Sequence, residues 1–545
     1  MGKRFFYGNK EYELPDGYEY VNLDDEKFRK ALAICFDGDY PIVTIAGPGG
    51  CGKSVIYRIL YDALPNTLAM ASTGVAAFNI AQHGIPCMTI HSALKLSPLP
   101  LYDWNKPDKS CVIYLSHYEY MLIDEISMVD CNLLDYILMH VKYANEYRDD
   151  GKMLHVILFG DVLQLPPVSK IAGSVAVNEK ERELKKCWRE RYGNAEVGYW
   201  FFSPNFRATK RITVELETGY RQSDSSFKEM LRVIRYADKD NLERILAEIN
   251  KRKVDEAEHR AKYDSENNHM LFLTGRNKDV VAYNNLHIQS FIDSKVECHE
   301  YKSSVIGPMT DDAFYRHYNP EDPAARKNLF HDFFPILEDT QTLYLGEQVM
   351  CICNDRTSGF QNGTVGRIVR FIRKEPKGMY YPVVKTYDER QPFTVGYHTF
   401  EYFAAYVKDD GEIAYNKIFE VESLACKCAY AVTFHKSQGL TLDSVYIDTR
   451  HKGGDGGEES FIPDSGIYMG LSRCRTLSGI GLSDTIMPEQ IRVNEYTSLF
   501  FRPDRDEIKL PSDDSITDFD RAASAMNIIR RRKSRIRLSD LLGDE

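Results

Sequence analysis

Residues 41–64 read PIVTIAGPGGCGKSVIYRILYDAL, and their reading decides the fold. Pro41 to Ala46 is a short apolar run with β-branched residues, the pattern of a buried strand. Ser54 to Leu64 reads as the helix that follows it. Between them, Gly47-Pro48-Gly49-Gly50-Cys51-Gly52-Lys53-Ser54 matches G-x4-G-K-[ST] in the strand–loop–helix context that the motif requires. Glycines let backbone N–H groups wrap a β-phosphate, so Gly47, Gly49, Gly50, Cys51 and Gly52 are candidate nucleotide contacts. Lys53 supplies a point charge to the β- and γ-phosphates, and Ser54 offers its hydroxyl to Mg²⁺.

The same alternation continues downstream. Leu68 to Ser72 reads as a strand before a Gly-Val-Ala-Ala helix, Tyr120 to Ile123 as a strand ending in Asp124-Glu125, and Leu154 to Phe159 as a strand ending at Gly160. Strands separated by helices imply an α/β fold with a doubly wound parallel sheet and ligands at the strand C-termini. Asp124 is then placed to hold Mg²⁺, and Glu125 to orient and deprotonate an attacking water. The next strand end carries Gly160-Asp161-Val162-Leu163-Gln164-Leu165-Pro166-Pro167, where Gln164 reads as a polar sensor of the γ-phosphate or of that water. The second half is mixed. Met270 to Thr274, Val349 to Cys353 and Thr364 to Arg370 read as strands, Val383 to Val407 as short antiparallel strands, and the βα pattern resumes from Ala429.

Composition bounds the rest. The 545 residues are 43% apolar and 27% charged, an ordinary globular balance that excludes a disordered chain, a collagen-like fibre and a disulfide-built miniprotein. No apolar run approaches the roughly 18 residues of a membrane helix, so no membrane partner is expected. The N-terminus lacks the features of a secretory signal or a mitochondrial presequence. Twelve cysteines without framework spacing point to reduced thiols and an intracellular, nuclear or cytoplasmic protein. Cys351/Cys353 and Cys426/Cys428 have C-x-C spacing, which on strands puts each pair on one face. They read as small hydrophobes more readily than as a four-cysteine metal site. A net charge of −11 argues at first against a nucleic-acid partner.

The motifs overturn that inference. Taken with GKS, the blocks Asp124 to Ser127 (DEIS) and Gly160 to Val168 (GDVLQLPPV) resemble superfamily-one helicases of the Pif type. Five further blocks agree in order: Ser72 to Ala77 with Thr89 to Ser92, Ser127 to Val168, Leu216 to Gln222 (LETGYRQ), Ala431 to Thr441 (AVTFHKSQGLT) and Tyr468 to Arg475 (YMGLSRCR). The resemblance covers roughly residues 20–480. Two departures stand out. Lys27 occupies the place of the family's adenine-reading glutamine, and Arg148 to Lys152 replaces its Pro-Phe-Gly-Gly.

The resemblance implies two RecA-like P-loop cores with small inserted domains and ATP with Mg²⁺ between the cores. It implies 5′-to-3′ movement on single-stranded DNA, unwinding of tailed or forked duplexes, and a monomer. Arg221 and Arg473 would act as fingers on γ-phosphate charge, and Gly439 with Gln438 would link nucleotide state to the strand. Thr73, Gly74, His91, Thr433, His435, Lys436 and Ser437 are the candidate DNA contacts, through short polar side chains, backbone and imidazole rings. Phe78 reads as a core residue more readily than as a base-stacking one. The implied organisation is an extension at 1–20, a first core at 21–92 and 119–205, and a wedge-like insertion at 93–118 that includes Trp104. A second core follows at 206–364 and 426–500, with a β-barrel insertion at 365–425 and a charged tail at 501–545 holding a basic cluster from Arg530 to Arg537. An RNA translocase and a scaffold with weak ATPase activity remain alternatives. The acidic excess now predicts a distribution, with acids on outer faces and a neutral-to-basic strand track.

Overall fold

Runs of five or six apolar residues, buried on both faces, have the pattern of parallel strands. In the computed structural model such runs build the first sheet. The structure describes residues 3–500, apart from 82, 97–101, 104, 168–178, 193–196, 220, 221, 223, 264–269, 310–317, 335, 336, 354, 356–358, 361, 362, 375–377, 388–390, 408–412, 441, 443 and 452–458. Across the sheet the strands are Met88–Thr89, Thr67–Ala71, Tyr120–Asp124, His155–Gly160, Ile42–Ala46 and Arg211–Glu215, all parallel. Side chains alternate between two cores. Met70, Met121, Ile123, Val156 and Leu158 face one side with the helix Cys131–Tyr147. Val43, Ile45, Leu122, Ile157 and Phe159 face the other, with the helices Glu26–Asp37 and Lys53–Ala63.

The chain divides into two compact units, the first comprising Met1–Leu246, Pro463–Ser472 and the described residues from Pro488 on. This moves the expected boundary at 205. Arg211–Glu215 hydrogen-bonds in parallel to Ile42–Ala46, because Ile212 and Val214 supply an edge-strand pattern that the first sheet accepts. The described part of the 93–118 stretch packs within this unit. Tyr102 joins the core and exchanges hydrogen bonds with Asn132, and the helix Lys109–Ser116 lies on Cys131–Tyr147. Trp104 and the Arg530–Arg537 cluster lie outside the described residues.

The second unit, Ala247–Ile462 and Arg473–Met487, has a smaller parallel sheet in the order Ala431–Thr433, Met270–Thr274, Ser444–Ile447, Ile480–Leu482. Its other strands are antiparallel. A five-stranded sheet runs Phe393–Thr394, Met379–Thr386, Val365–Lys374, Gln348–Cys351, Cys426–Cys428, and a three-stranded one pairs Ser304–Ile306 with the hairpin Tyr397–Val407/Ile413–Leu424. The antiparallel region therefore recruits strands from before 365. Cys351 and Cys426 face each other across it, fully buried in an apolar cluster.

One buried polar knot ties the first unit together. Asp135 accepts from Arg191 Nε at 2.6 Å, Ser203 Oγ at 2.9 Å and the Asn205 amide at 3.0 Å. Asp135→Ala leaves the Arg191 guanidinium buried without its anion, at a cost of about 3–5 kcal/mol. Urea unfolding followed by tryptophan fluorescence is expected to show that loss. Lys142→Ala removes an exposed pair at 4.0 Å with Glu146, and should shift the curve by less than about 0.5 kcal/mol.

Candidate nucleotide site and strand-contact residues

Three adjacent strands, Tyr120–Asp124, His155–Gly160 and Ile42–Ala46, deliver the site residues at their C-terminal ends. The loop after Ile42–Ala46 turns at once. A side chain at Gly47, where φ is +152°, would meet the Leu216 carbonyl at 2.6 Å, so the position demands glycine. Gly50 and Gly52 also take positive φ, and Gly52 starts the Lys53–Ala63 helix with no side-chain cap, which leaves its first amides to an anion. Lys53 Nζ donates to the Gly47 and Pro48 carbonyls at 2.6 and 2.8 Å and lies 3.7 Å from Cys51 Sγ. Cys51 is buried in the loop, while Ser54 is exposed on the first helical turn. Gly49 and Pro48 open onto a cavity of about 1040 Å³ within the first unit, lined also by Glu217, Gln222 and Arg235.

Asp124 closes its strand and accepts the Glu125 amide at 2.9 Å. Burial, then the neighbouring Glu125 charge, pushes its carboxyl up to about 7, with Lys53 pulling the other way. Glu125 has φ +53°, a left-handed conformation that a glutamate adopts at a cost. Ser72, at the end of the adjacent strand, holds it there. Its hydroxyl donates to the Glu125 carbonyl at 2.9 Å and its amide to the Asp124 carbonyl at 3.1 Å.

The third strand end carries a network that motif reading missed. Asp161 is buried and accepts from Arg235 Nε and Nη2 at 3.1 and 2.9 Å and from Tyr468 Oη at 2.7 Å. Arg235 also donates to Glu215 at 2.9 Å. Burial alone would push Asp161 upward. The Arg235 and Lys53 charges, with the hydrogen bonds from Arg235 and Tyr468, hold it below the ordinary carboxylate value. Asp161 and Tyr468 stood inside quoted motifs. Arg235 left a subtler signal, a cation on the buried face of the helix Ser225–Tyr236 beside Phe227, Leu231 and Ile234. Gln164 is 5% exposed. Its Nε2 reaches Asp161 at 3.4 Å, and its Oε1 has no partner among the described residues.

The remaining candidates fall as follows. Lys27 pairs with Glu217 at the start of its helix. Thr73 caps the helix Gly74–Ala81 by accepting the Ala76 amide at 3.2 Å. His91 is tied to Tyr102 Oη at 2.9 Å. Thr433 accepts the Lys436 amide at 3.4 Å, His435 opens a short 3₁₀ turn, and Lys436 is exposed. Ser437 is fully buried and donates to the Phe434 carbonyl at 2.8 Å. Its hydroxyl therefore closes the turn. Gly439 has φ +80°, and Arg473, 2% exposed, donates to the Leu440 carbonyl at 3.2 Å. Arg221 and the Phe78 side chain lie outside the described residues.

The family model described as PIF1-like helicase matches residues 26–243, the span that carries all three strand ends. Proteins named ATP-dependent DNA helicase PIF1 are 26% identical over 88% of this chain in Danio rerio and over 81% in Homo sapiens. One from Campylobacter jejuni is 25% identical over 82% of this chain and 88% of its own length. The chain is similar to PIF1-like helicases over that span and to these relatives over most of its length. It spans about three fifths of the length of the vertebrate relatives, 63% for Danio rerio and 58% for Homo sapiens. Among solved structures, a Bacteroides Pif1 bound to single-stranded DNA has a similar fold, with a TM-score of 0.61 at 23% identity, covering 93% of this chain and 98% of that one. The Candida albicans Pif1 helicase superposes with a TM-score of 0.62 at 21% identity, covering 88% of this chain and 99% of that one. These likenesses show that the chain shares the fold of those structures.

The raised Asp124 carboxyl makes a signed prediction. Its folded value exceeds the model-peptide value of 3.8, so the folded chain binds more protons than the unfolded chain between about pH 4 and pH 7. Stability tied to this group is present below that window and is lost as pH rises through it. Without metal or nucleotide, Asp124→Asn is expected to raise Tm at pH 8, with a much smaller gain at pH 4, as calorimetry would show.

Proposed function

We propose that this chain is an ATP-dependent DNA helicase that moves 5′-to-3′ on single-stranded DNA and unwinds tailed or forked duplexes by hydrolysing Mg²⁺-ATP. One observation carries the reading. Adjacent strands of a single parallel sheet end in the Lys53 loop, the Asp124–Glu125 pair and the Asp161–Gln164 loop. The names of the relatives supply the DNA substrate and the ATP requirement.

In this reading the loop amides and Lys53 grip the β- and γ-phosphates. Glu125 takes the proton of the attacking water, and Gln164 Oε1, without a partner among the described residues, accepts a hydrogen bond that orients it. The Ser54 hydroxyl and Asp124 carboxylate are hard oxygen donors that suit Mg²⁺, which when bound supplies charge neutralisation on the phosphates. Arg221 and Arg473 neutralise charge on the γ-phosphate. Gly439 links nucleotide state to the strand held by Thr73, Gly74, His91, Thr433, His435 and Lys436. The two parallel sheets serve as the two motor cores, the 93–118 stretch as the wedge, and the antiparallel strands of the second unit as the counterpart of the family's small barrel. The protein acts as a monomer.

The test is ATP hydrolysis and unwinding by the purified chain. Single-stranded DNA is expected to stimulate hydrolysis, and a duplex with a 5′ tail to be unwound. Lys53→Ala should lower hydrolysis by about 10²-fold or more. Equal hydrolysis with and without DNA would contradict the reading. Preference for a 3′ tail would overturn the polarity alone, and stronger stimulation by a matched RNA would move the substrate to RNA.

A further inference from the structure

The second unit contains a cavity of about 80 Å³ whose lining includes Asn277, Asn284, Glu338, Lys427, Thr433 and Lys436. Lys427 belongs to none of the family motifs. It is the middle residue of the strand Cys426–Cys428, opposite Met350, and it shares the cavity lining with Lys436. An ammonium has three donors and no acceptor, so two of them facing each other satisfy neither. Their repulsion is relieved when one loses its proton or when an anion takes N–H bonds from both. Burial first, and Lys436 second, bring Lys427 down to about 8, against the smaller opposing pulls of Glu338 and Cys428. Asn284 is already committed. It accepts the Tyr430 and Ala431 amides at 3.0 and 2.8 Å and donates to the Cys428 carbonyl at 3.3 Å, so it forms a fixed wall. Thr433 Oγ accepts the Lys436 amide, and its O–H proton can be given to a further acceptor. Glu338, on the same lining, pulls on Lys427 more weakly than Lys436 pushes, and a compact oxyanion complements two ammonium groups and a hydroxyl donor.

We propose that Lys427 joins Lys436 and Thr433 in gripping one backbone phosphate of the bound single strand. This rests on the reading above that the chain binds single-stranded DNA. Lys427 holds the phosphate from a rigid strand, whereas Lys436 reaches it from an exposed turn. The paired lysines also concentrate positive charge locally on a chain whose net charge is −11. A phosphate between them favours the charged form of Lys427, so binding takes up a proton where the free group is neutral, above about pH 8.

The experiment is anisotropy of a labelled oligothymidylate with the full chain, titrated over salt concentration and between pH 7 and pH 9. Lys427→Met keeps the stem and removes the charge. It is expected to weaken binding by about tenfold and to reduce the slope of log K against log salt by about 0.7, the share of one phosphate contact on a single strand. Lys427→Arg should keep the wild-type slope and lose the extra weakening that wild type shows above pH 8. That comparison decides the matter even if the methionine variant folds poorly. Lys427→Met with wild-type affinity and slope would overturn the proposal alone. Failure of the wild-type chain to bind the strand at all would overturn the function reading and the proposal with it. Inorganic phosphate at matched ionic strength separates the two sources of the anion. If Lys427→Met abolishes competition by phosphate and leaves the strand slope intact, the site serves a free anion and the proposal is wrong.

Discussion

In the first unit every strand of the main sheet runs the same way, and most of what the protein offers chemically follows from that constraint. Parallel pairing sends all the strand C-termini to one edge, so residues far apart in sequence arrive there together. Lys53, Asp124 and Gln164 follow three neighbouring strands of that edge. Helices must cover both faces, because the inner strands are apolar on both, and the coverage leaves the edge as the place where polar groups can gather.

The edge is held by buried charge. Asp161 and Arg235 are both almost inaccessible, and Tyr468 and Glu215 complete their hydrogen bonds. A buried ion pair costs desolvation and adds little net stability, so its value lies in specifying position. Here it joins the strand-end loop at Asp161, the helix Ser225–Tyr236 and the helix Gly466–Ser472, which returns to the first unit more than two hundred residues later. Glu125 shows the same economy on a smaller scale. Its left-handed backbone is retained because two hydrogen bonds from Ser72 define the turn.

Much of this was legible beforehand. The strand–loop–helix at 41–64 was readable because it combines a β-branched run, a glycine motif and an amphipathic helix in register, and the structure places its helix at Lys53–Ala63. Asp124 and Gly160 were readable as strand ends for the same reason. The boundary at 205 was less visible, since Arg211–Glu215 is a short, half-buried edge strand that alternation alone assigns to either unit. Arg235 and Lys427 were invisible as partners. Each is one cation among many in the sequence, and what singles it out is burial beside a particular charge.

Sequence by itself determined the chemistry available and its order along the chain. The glycine-rich loop, the acidic pair and the glutamine are local patterns, whose meaning depends on neighbours a few residues away. Tertiary structure alone decided which charges meet. Asp161 with Arg235, Asp135 with Arg191, and Lys427 with Lys436 are pairings across strands and helices. Their strength depends on distance and on the water excluded around them, two quantities that exist only once the chain has folded.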